Sequence, residues 1–273
     1  MAGWQLAFDE HVLWFDPYLS RFDSTADGGA LRVRPDVIED LIASQRILGP
    51  PEVIMISHGH FDHLNDVPYL LGRQGWAVRT MLPMGTETHR HLLGAMGYRG
   101  PVVEVRGGEQ LSFAGGAYTI RVIPSLHSQG KDYGYSFPGT LTAQPDPPAT
   151  IRDLPEGGTL AYLVTIRDRL SVLLFGGTNF VERELAGLRP DVVAVCMTFH
   201  NAVDRYLERL LTVLGGPAYV LPSHHDDMVT GFDDPRLPGT VHASAISELK
   251  EAVRSLGLRT EVIAPAHLTD VEF

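Results

Sequence analysis

Residues 53–66 read VIMISHGHFDHLND, in which His58, His60, Asp62 and His63 crowd together directly after an apolar run. The run VIMIS has the continuous apolar character of a strand covered on both faces, so the polar cluster begins where the strand ends. Histidines two residues apart point to the same side of an extended segment, and His58 and His60 can therefore share one ion. Imidazole is a good ligand for zinc, iron and related metals, and Asp62 adds a charged oxygen. Asp62 and His63, one turn onward, can face a second ion. Four such groups at this spacing argue against a merely solvated polar loop.

Outward from this cluster the chain alternates between strand-like and helix-like runs. HVLWFDP (11–17), PEVIMIS (51–57), GAYTIRVIP (116–124), TLAYLVTI (159–166), LSVLLFG (170–176), DVVAVCM (191–197) and AYVLPS (218–223) are rich in β-branched and aromatic residues and end in turn formers. In NAVDRYLERLLTVLGG the apolar residues from Val203 to Leu214 recur at helix spacing, with Asn201 as cap and Gly215 as stop. SAISELKEAVRSLG repeats the pattern, with Ser244 as cap and Gly257 as stop. Strands in groups with helices interspersed predict an α/β layered sandwich with its helices outside. With 273 residues, 44% of them hydrophobic, the chain can bury a large core as one domain over 1–273 or as two tightly fused halves. One compact body is expected. Residues 137–158 hold five prolines between Pro138 and Pro155, too many for regular structure, and predict a long loop, either a lid or binding loop or an inert excursion.

Composition narrows the partners. A formal net charge of −11 disfavours sequence-independent binding to nucleic acid or anionic lipid. The single cysteine, Cys196, rules out an internal disulfide and a cysteine-based zinc site, and fits a reducing compartment; it is expected to pack in its strand as a small apolar group. No apolar run approaches the ~18 residues of a membrane helix, and MAGWQLAF lacks the regions of a signal peptide. A soluble, cytoplasmic protein acting on a small molecule is expected. Its strand-like pattern starts within a few residues of Met1, which leaves room for a further strand ahead of it.

The motif HGHFDH resembles the H-x-H-x-D-H pattern of the metallo-β-lactamase superfamily, and it follows a buried-looking strand as in that family. DPYLSRF from Asp16, PSLHSQG around His127, LLFGGTNF around Gly177 and LPSHHDD around His224 fall in family order, so the resemblance covers nearly the whole chain. It is greatest to the branch with sugar-phosphate lactonases and N-acyl-lipid phosphodiesterases. The resemblance implies a four-layer αββα sandwich and a metal-dependent hydrolase. It implies that His58, His60 and His127 hold one metal, while Asp62, His63 and His224 hold a second. Zinc, one or two ions, is the expected cofactor, with iron or manganese as alternatives.

Gly177 departs from the family pattern, where an aspartate bridges the two ions. Ions about 3.5 to 4 Å apart repel, and glycine supplies no anion between them, so one site is expected to be weak or empty and the histidine trio filled. Asp226 and Asn179 are the nearby candidates to compensate. The implied reaction uses a metal-bound hydroxide on an ester, lactone, amide or phosphodiester. Asp62 would hold or accept the water proton. His200, at a strand end, is a candidate proton donor, with helix capping as the alternative.

The remaining polar residues carry smaller expectations. Asp16 either fixes the tautomer of a metal-bound imidazole or starts an Asp-Pro turn. His225 is read as a non-ligand, His89 and His91 as solvated, and His11, His242 and His267 carry no signal. Tyr133 and Tyr135 line a pocket or pack as buried aromatics, and Lys131 can meet an anion. Since few basic residues flank the motifs, a weakly charged substrate is expected. Two rivals stand beside hydrolysis. The first is non-hydrolytic chemistry on a biosynthetic intermediate (isomerase, cyclase or redox step), to which the loss at Gly177 points. The second is a binding protein, against which six intact ligands argue.

Overall fold

The computed structural model of the chain describes residues 3–76, 81–130, 132–167 and 169–273. All seven runs with strand character form strands, most of them shorter than their apolar pattern. Contacts divide the chain into two compact units. The first is Met1–Val105 with Ser136–Gly158 and Asp227–Leu237, and the second is Arg106–Tyr135 with Thr159–Asp226 and Pro238–Phe273.

The first unit holds a five-stranded sheet in the order of the sequence: β1 (Trp4–Phe8), β2 (His11–Phe15), β3 (Val53–Met55), β4 (Leu82–Gly85) and β5 (Val103–Glu104). The β1–β2 pair is antiparallel and the others are parallel. Every residue of β3 is buried, as a central parallel strand requires. Helices α1 (Pro35–Ala43), α2 (Phe61–Leu64), α3 (Val67–Gly72) and α4 (Glu87–Ala95) belong to this unit. Residues 137–158 are irregular as expected, apart from a 3-10 turn at Ile151–Asp153.

The second unit holds β6 (Gln110–Phe113), β7 (Tyr118–Leu126), β8 (Leu160–Ile166), β9 (Leu170–Phe175), β10 (Asn179–Phe180), β11 (Val192–Cys196), β12 (Tyr219–Ser223) and β13 (Glu261–Val262). Their sheet order is β10-β7-β8-β9-β11-β12-β13, with β6 also paired to β7. The pairs β6–β7, β7–β8, β8–β9 and β7–β10 are antiparallel, and β9–β11, β11–β12 and β12–β13 are parallel. Helices α5 (Glu182–Leu185), α6 (Tyr206–Val213) and α7 (Ala243–Ser255) complete it. Leu207, Leu210 and Leu211 of α6 and Leu249 and Val253 of α7 join Val193, Val195 and Cys196 of β11 in one apolar cluster. At roughly 1.5–3 kcal/mol per buried large aliphatic side chain, this cluster is a main source of the unit's stability.

Two helix starts differ from expectation. Asn201 lies in a 3-10 turn (His200–Ala202), and α6 begins only after Arg205, whose φ of 45° breaks the helical run. Ser244 is inside α7, whose N-cap is His242. Both stops hold: Gly215 and Gly257 follow their helices with φ of 76° and 62°, the left-handed geometry that glycine accepts freely.

Candidate metal centre

In the first unit β3 ends at Met55, and the next residues bring the cluster together. The His58 and His60 rings lie 4.7 Å apart between centroids, and those of His58 and His63 lie 3.8 Å apart. Asp62 and His63 ride on the single turn of α2, with Asp62 Oδ2 3.2 Å from His63 Nε2. All four are buried.

Asp16, in the turn after β2, organises this group. Its carboxylate accepts hydrogen bonds from Ser57 N (2.7 Å), Ser57 Oγ (2.6 Å) and His63 Nδ1 (2.7 Å). Because the Ser57 hydroxyl gives its hydrogen to Asp16, its oxygen accepts from His58 Nδ1 at 2.9 Å. Both imidazoles thus direct an Nδ1–H into the protein, and Nε2 of His63 faces Asp62 Oδ2. Burial acts to lower the His63 pKa, but the Asp62 and Asp16 carboxylates outweigh it and push it up to about 10. The expectation that Asp16 orients an imidazole is realised in these bonds. Asp66 fastens the other end of the same segment, accepting from Leu19 N, Ser20 N and Ser20 Oγ. Burial raises its pKa against those bonds.

The proline-rich segment closes over the ligand loop. Glu156 O accepts from Gly59 N at 2.8 Å, and a Cβ at residue 59 would stand 2.2 Å from Pro155 O, so only glycine fits between the histidines. The Phe137 ring meets His60 edge-on, 5.7 Å between centroids.

Two expectations about α4 are corrected. His89 is fully buried rather than solvated: its Nδ1 accepts from Thr86 N at the helix start, and its ring lies on Gly85, which has no side chain to displace it. Burial lowers its pKa to about 3. His91 is likewise buried, on the same helix.

The second unit contributes two further imidazoles at strand ends. His127 follows β7, and its Nδ1 donates to Ser128 O at 2.8 Å. His224 follows β12 with φ of 53°. Thr198 Oγ1 donates to His224 O (3.0 Å) and therefore accepts from His224 Nδ1 (2.9 Å). Gly177 packs against the backbone that carries His127: a Cβ there would lie 3.1 Å from Leu126 O and 3.5 Å from His127 Cα. Thr178 N donates to Ser128 Oγ, and Thr178 Oγ1 donates to Thr198 O, so one turn braces the segments bearing both histidines.

Other singled-out residues of this unit are engaged as follows. Asp226 Oδ2 lies 2.7 Å from His267 Nε2, a partner that carried no sequence signal. Asn179 Oδ1 accepts from Phe180 N. His200 Nδ1 donates to Met197 O at 2.7 Å, and its Nε2 is 2.6 Å from Glu248 Oε2. Burial lowers the His225 pKa to about 4. Cys196 is buried in β11 as expected. Tyr133 and Tyr135 do not pack as buried aromatics: they are 81% and 40% exposed, because their loop follows the strand end, with the Tyr135 ring 5.2 Å from that of His127. Lys131 lies outside the described residues.

Within each unit the imidazoles suit a divalent metal: those of His58 and His63 in the first, and of His127 and His224 in the second, each have Nδ1 turned to a protein acceptor, which leaves Nε2 as the atom for an ion. Ser57 and Thr198, which set two of these tautomers, escaped the sequence reading. Ser57 is signalled only by adjacency to the motif and Thr198 by nothing local.

The sequence model of the Beta-lactamase superfamily domain matches residues 16–225. No curated protein matches the chain. Among solved structures it is similar to Igni18, a metallo hydrolase from Ignicoccus hospitalis, at 17% identity over 97% of this chain and 93% of that one (TM-score 0.58). The isothiocyanate hydrolase from Delia radicum gut bacteria is 16% identical over 97% and 93% (TM-score 0.57). The metallo-beta-lactamase fold protein YhfI from Bacillus subtilis is 12% identical over 97% and 88% (TM-score 0.57). These likenesses show the fold, an α/β architecture with two sheets as expected. Since the matched segment runs from the aspartate that orients His63 to the residue after His224, the chain belongs to the metallo-β-lactamase superfamily.

Proposed function

We propose that the protein is a metal-dependent hydrolase of small molecules in which the two units act as one domain over residues 1–273. His58, His60 and His127 hold one ion, and Asp62, His63 and His224 a second. The observation that carries this reading is the shared tautomer of four imidazoles, an arrangement that serves metal binding and that a purely structural cluster does not need. A bound divalent ion supplies water that ionises near neutral pH and polarisation of an electrophilic oxygen. Asp62, beside Nε2 of His63, would take the proton of the attacking water on its carboxylate. His200 can donate to a leaving group only by exchanging its bond to Glu248. Ester, lactone, amide and phosphodiester bonds are the substrate classes. Gly177 brings no carboxylate between the ions, so the two sites are unequal, with zinc expected in the histidine trio. The same glycine favours a second reading, non-hydrolytic metal chemistry on a biosynthetic intermediate.

Metal analysis of protein purified without added ions separates them. About one zinc per chain, lost together with esterase, lactonase or phosphodiesterase activity in His60→Ala, is the expected result. Isothiocyanates belong in the panel, given the name of one structural neighbour. Two tightly held ions would overturn the inequality of the sites. Bound iron or manganese without hydrolysis of any of these substrates would favour the second reading.

A further inference from the structure

The 137–158 segment brings a cation to the ligand loop that no motif announces. The Phe137 ring packs edge-on against His60, and the Arg152 guanidinium lies over that ring, 5.7 Å from its centroid. Phe137 is set in a left-handed backbone (φ 43°), with its carbonyl accepting from Glu156 N. Arg152 is carried on the 3-10 turn Ile151–Asp153. The neighbouring acid does not neutralise it by that turn's geometry: Asp153 Oδ2 accepts from Ala149 N, Thr150 N and Thr150 Oγ1. Among the described residues no carboxylate forms an ion pair with Arg152, and its side chain is exposed. A guanidinium stacked on an aromatic ring is held in orientation while its N–H donors stay available, and that fork matches a carboxylate or phosphate. In a chain of net charge −11, such an unpaired cation two ring contacts from a metal ligand has an obvious use.

We propose that Arg152, stacked on Phe137, binds an anionic group of the substrate and thereby selects anionic over neutral substrates. The proposal deepens the hydrolase reading and rests on it for turnover. It also revises the expectation of a weakly charged substrate, because the cation comes from 89 residues beyond the end of the motif rather than from its flanks.

The test compares 4-acetoxybenzoate with its uncharged methyl ester on zinc-loaded enzyme, together with titration calorimetry of benzoate. Wild type should prefer the anion by about tenfold in KM, with the preference shrinking as salt is raised. Arg152→Gln should raise KM for the anion about tenfold, leave kcat and the neutral ester unchanged, keep its zinc, and weaken benzoate binding equally. Arg152→Lys should fall between. Equal effects of Arg152→Gln on the two esters, or none on either, would overturn the proposal. If neither ester is turned over, the hydrolase reading fails for esters, and the titration alone decides: benzoate binding lost in Arg152→Gln supports the anion site, and unchanged or absent binding rejects it.

Discussion

Asp16 Oδ2 stands 2.7 Å from Nδ1 of His63, across 47 positions of sequence. The same carboxylate accepts both hydrogens of Ser57, whose oxygen in turn orients His58. One side chain therefore sets the tautomer of a ligand in each proposed trio. In Asp16→Asn the amide nitrogen cannot accept, so at least one of these bonds is lost. Zinc affinity should fall about 10–100-fold with the fold retained, measured by competition with a chromophoric chelator and checked by circular dichroism. Unchanged affinity would leave Asp16 with a turn-forming role only.

Gly177→Asp supplies the carboxylate that the family resemblance implies at this position. The new Cβ would sit 3.1 Å from Leu126 O, so the backbone next to His127 must give by a few tenths of an ångström. The variant should bind a second equivalent of metal, read by elemental analysis, while its apo form loses about 1 kcal/mol of stability in urea. A stoichiometry that stays at one would show that the carboxylate does not reach the ions.

Burial holds the His89 pKa at about 3, well below its ordinary value of 6.5. Above pH 6.5 neither folded nor unfolded chain binds a proton here, and this contribution to stability is intact. Below it the unfolded chain takes up the proton first, so stability falls by about 1.4 kcal/mol per pH unit until the folded ring titrates near 3. His89→Leu should flatten that dependence, even though losing the bond to Thr86 N lowers stability at neutral pH. Urea midpoints at pH 7 and pH 5 would check it; equal slopes for both proteins would refute it.

The motif at 58–63 and the strands leading to it were legible because binary pattern and ligand spacing are local properties. The strand ends that deliver His127 and His224 were legible for the same reason. The helix starts were not: a left-handed Arg205 overrides the cap offered by Asn201, and local propensity carries no trace of it. Nor was the fate of His89, which looks like a surface helix residue until Gly85 lets its ring sink into the unit. Short strands such as β5 and β13, of two residues each, are defined by their neighbours and not by their own composition. Asp226 with His267 and Thr198 with His224 are tertiary pairs that no spacing rule could pick out.

The segment from 137 to 158 has almost no helix or strand, yet it is sewn down at both ends and at Ala149 between them. Leu141 N bonds Thr88 Oγ1, Ala149 O receives Leu31 N, Thr86 Oγ1 reaches Gly157 O, and Glu156 O holds Gly59 N. Its stiffness is borrowed from what it touches. A protease searching for an extended, yielding stretch would find tethered prolines there, and a molecule arriving at the histidines would meet a standing wall where a swinging door was conceivable.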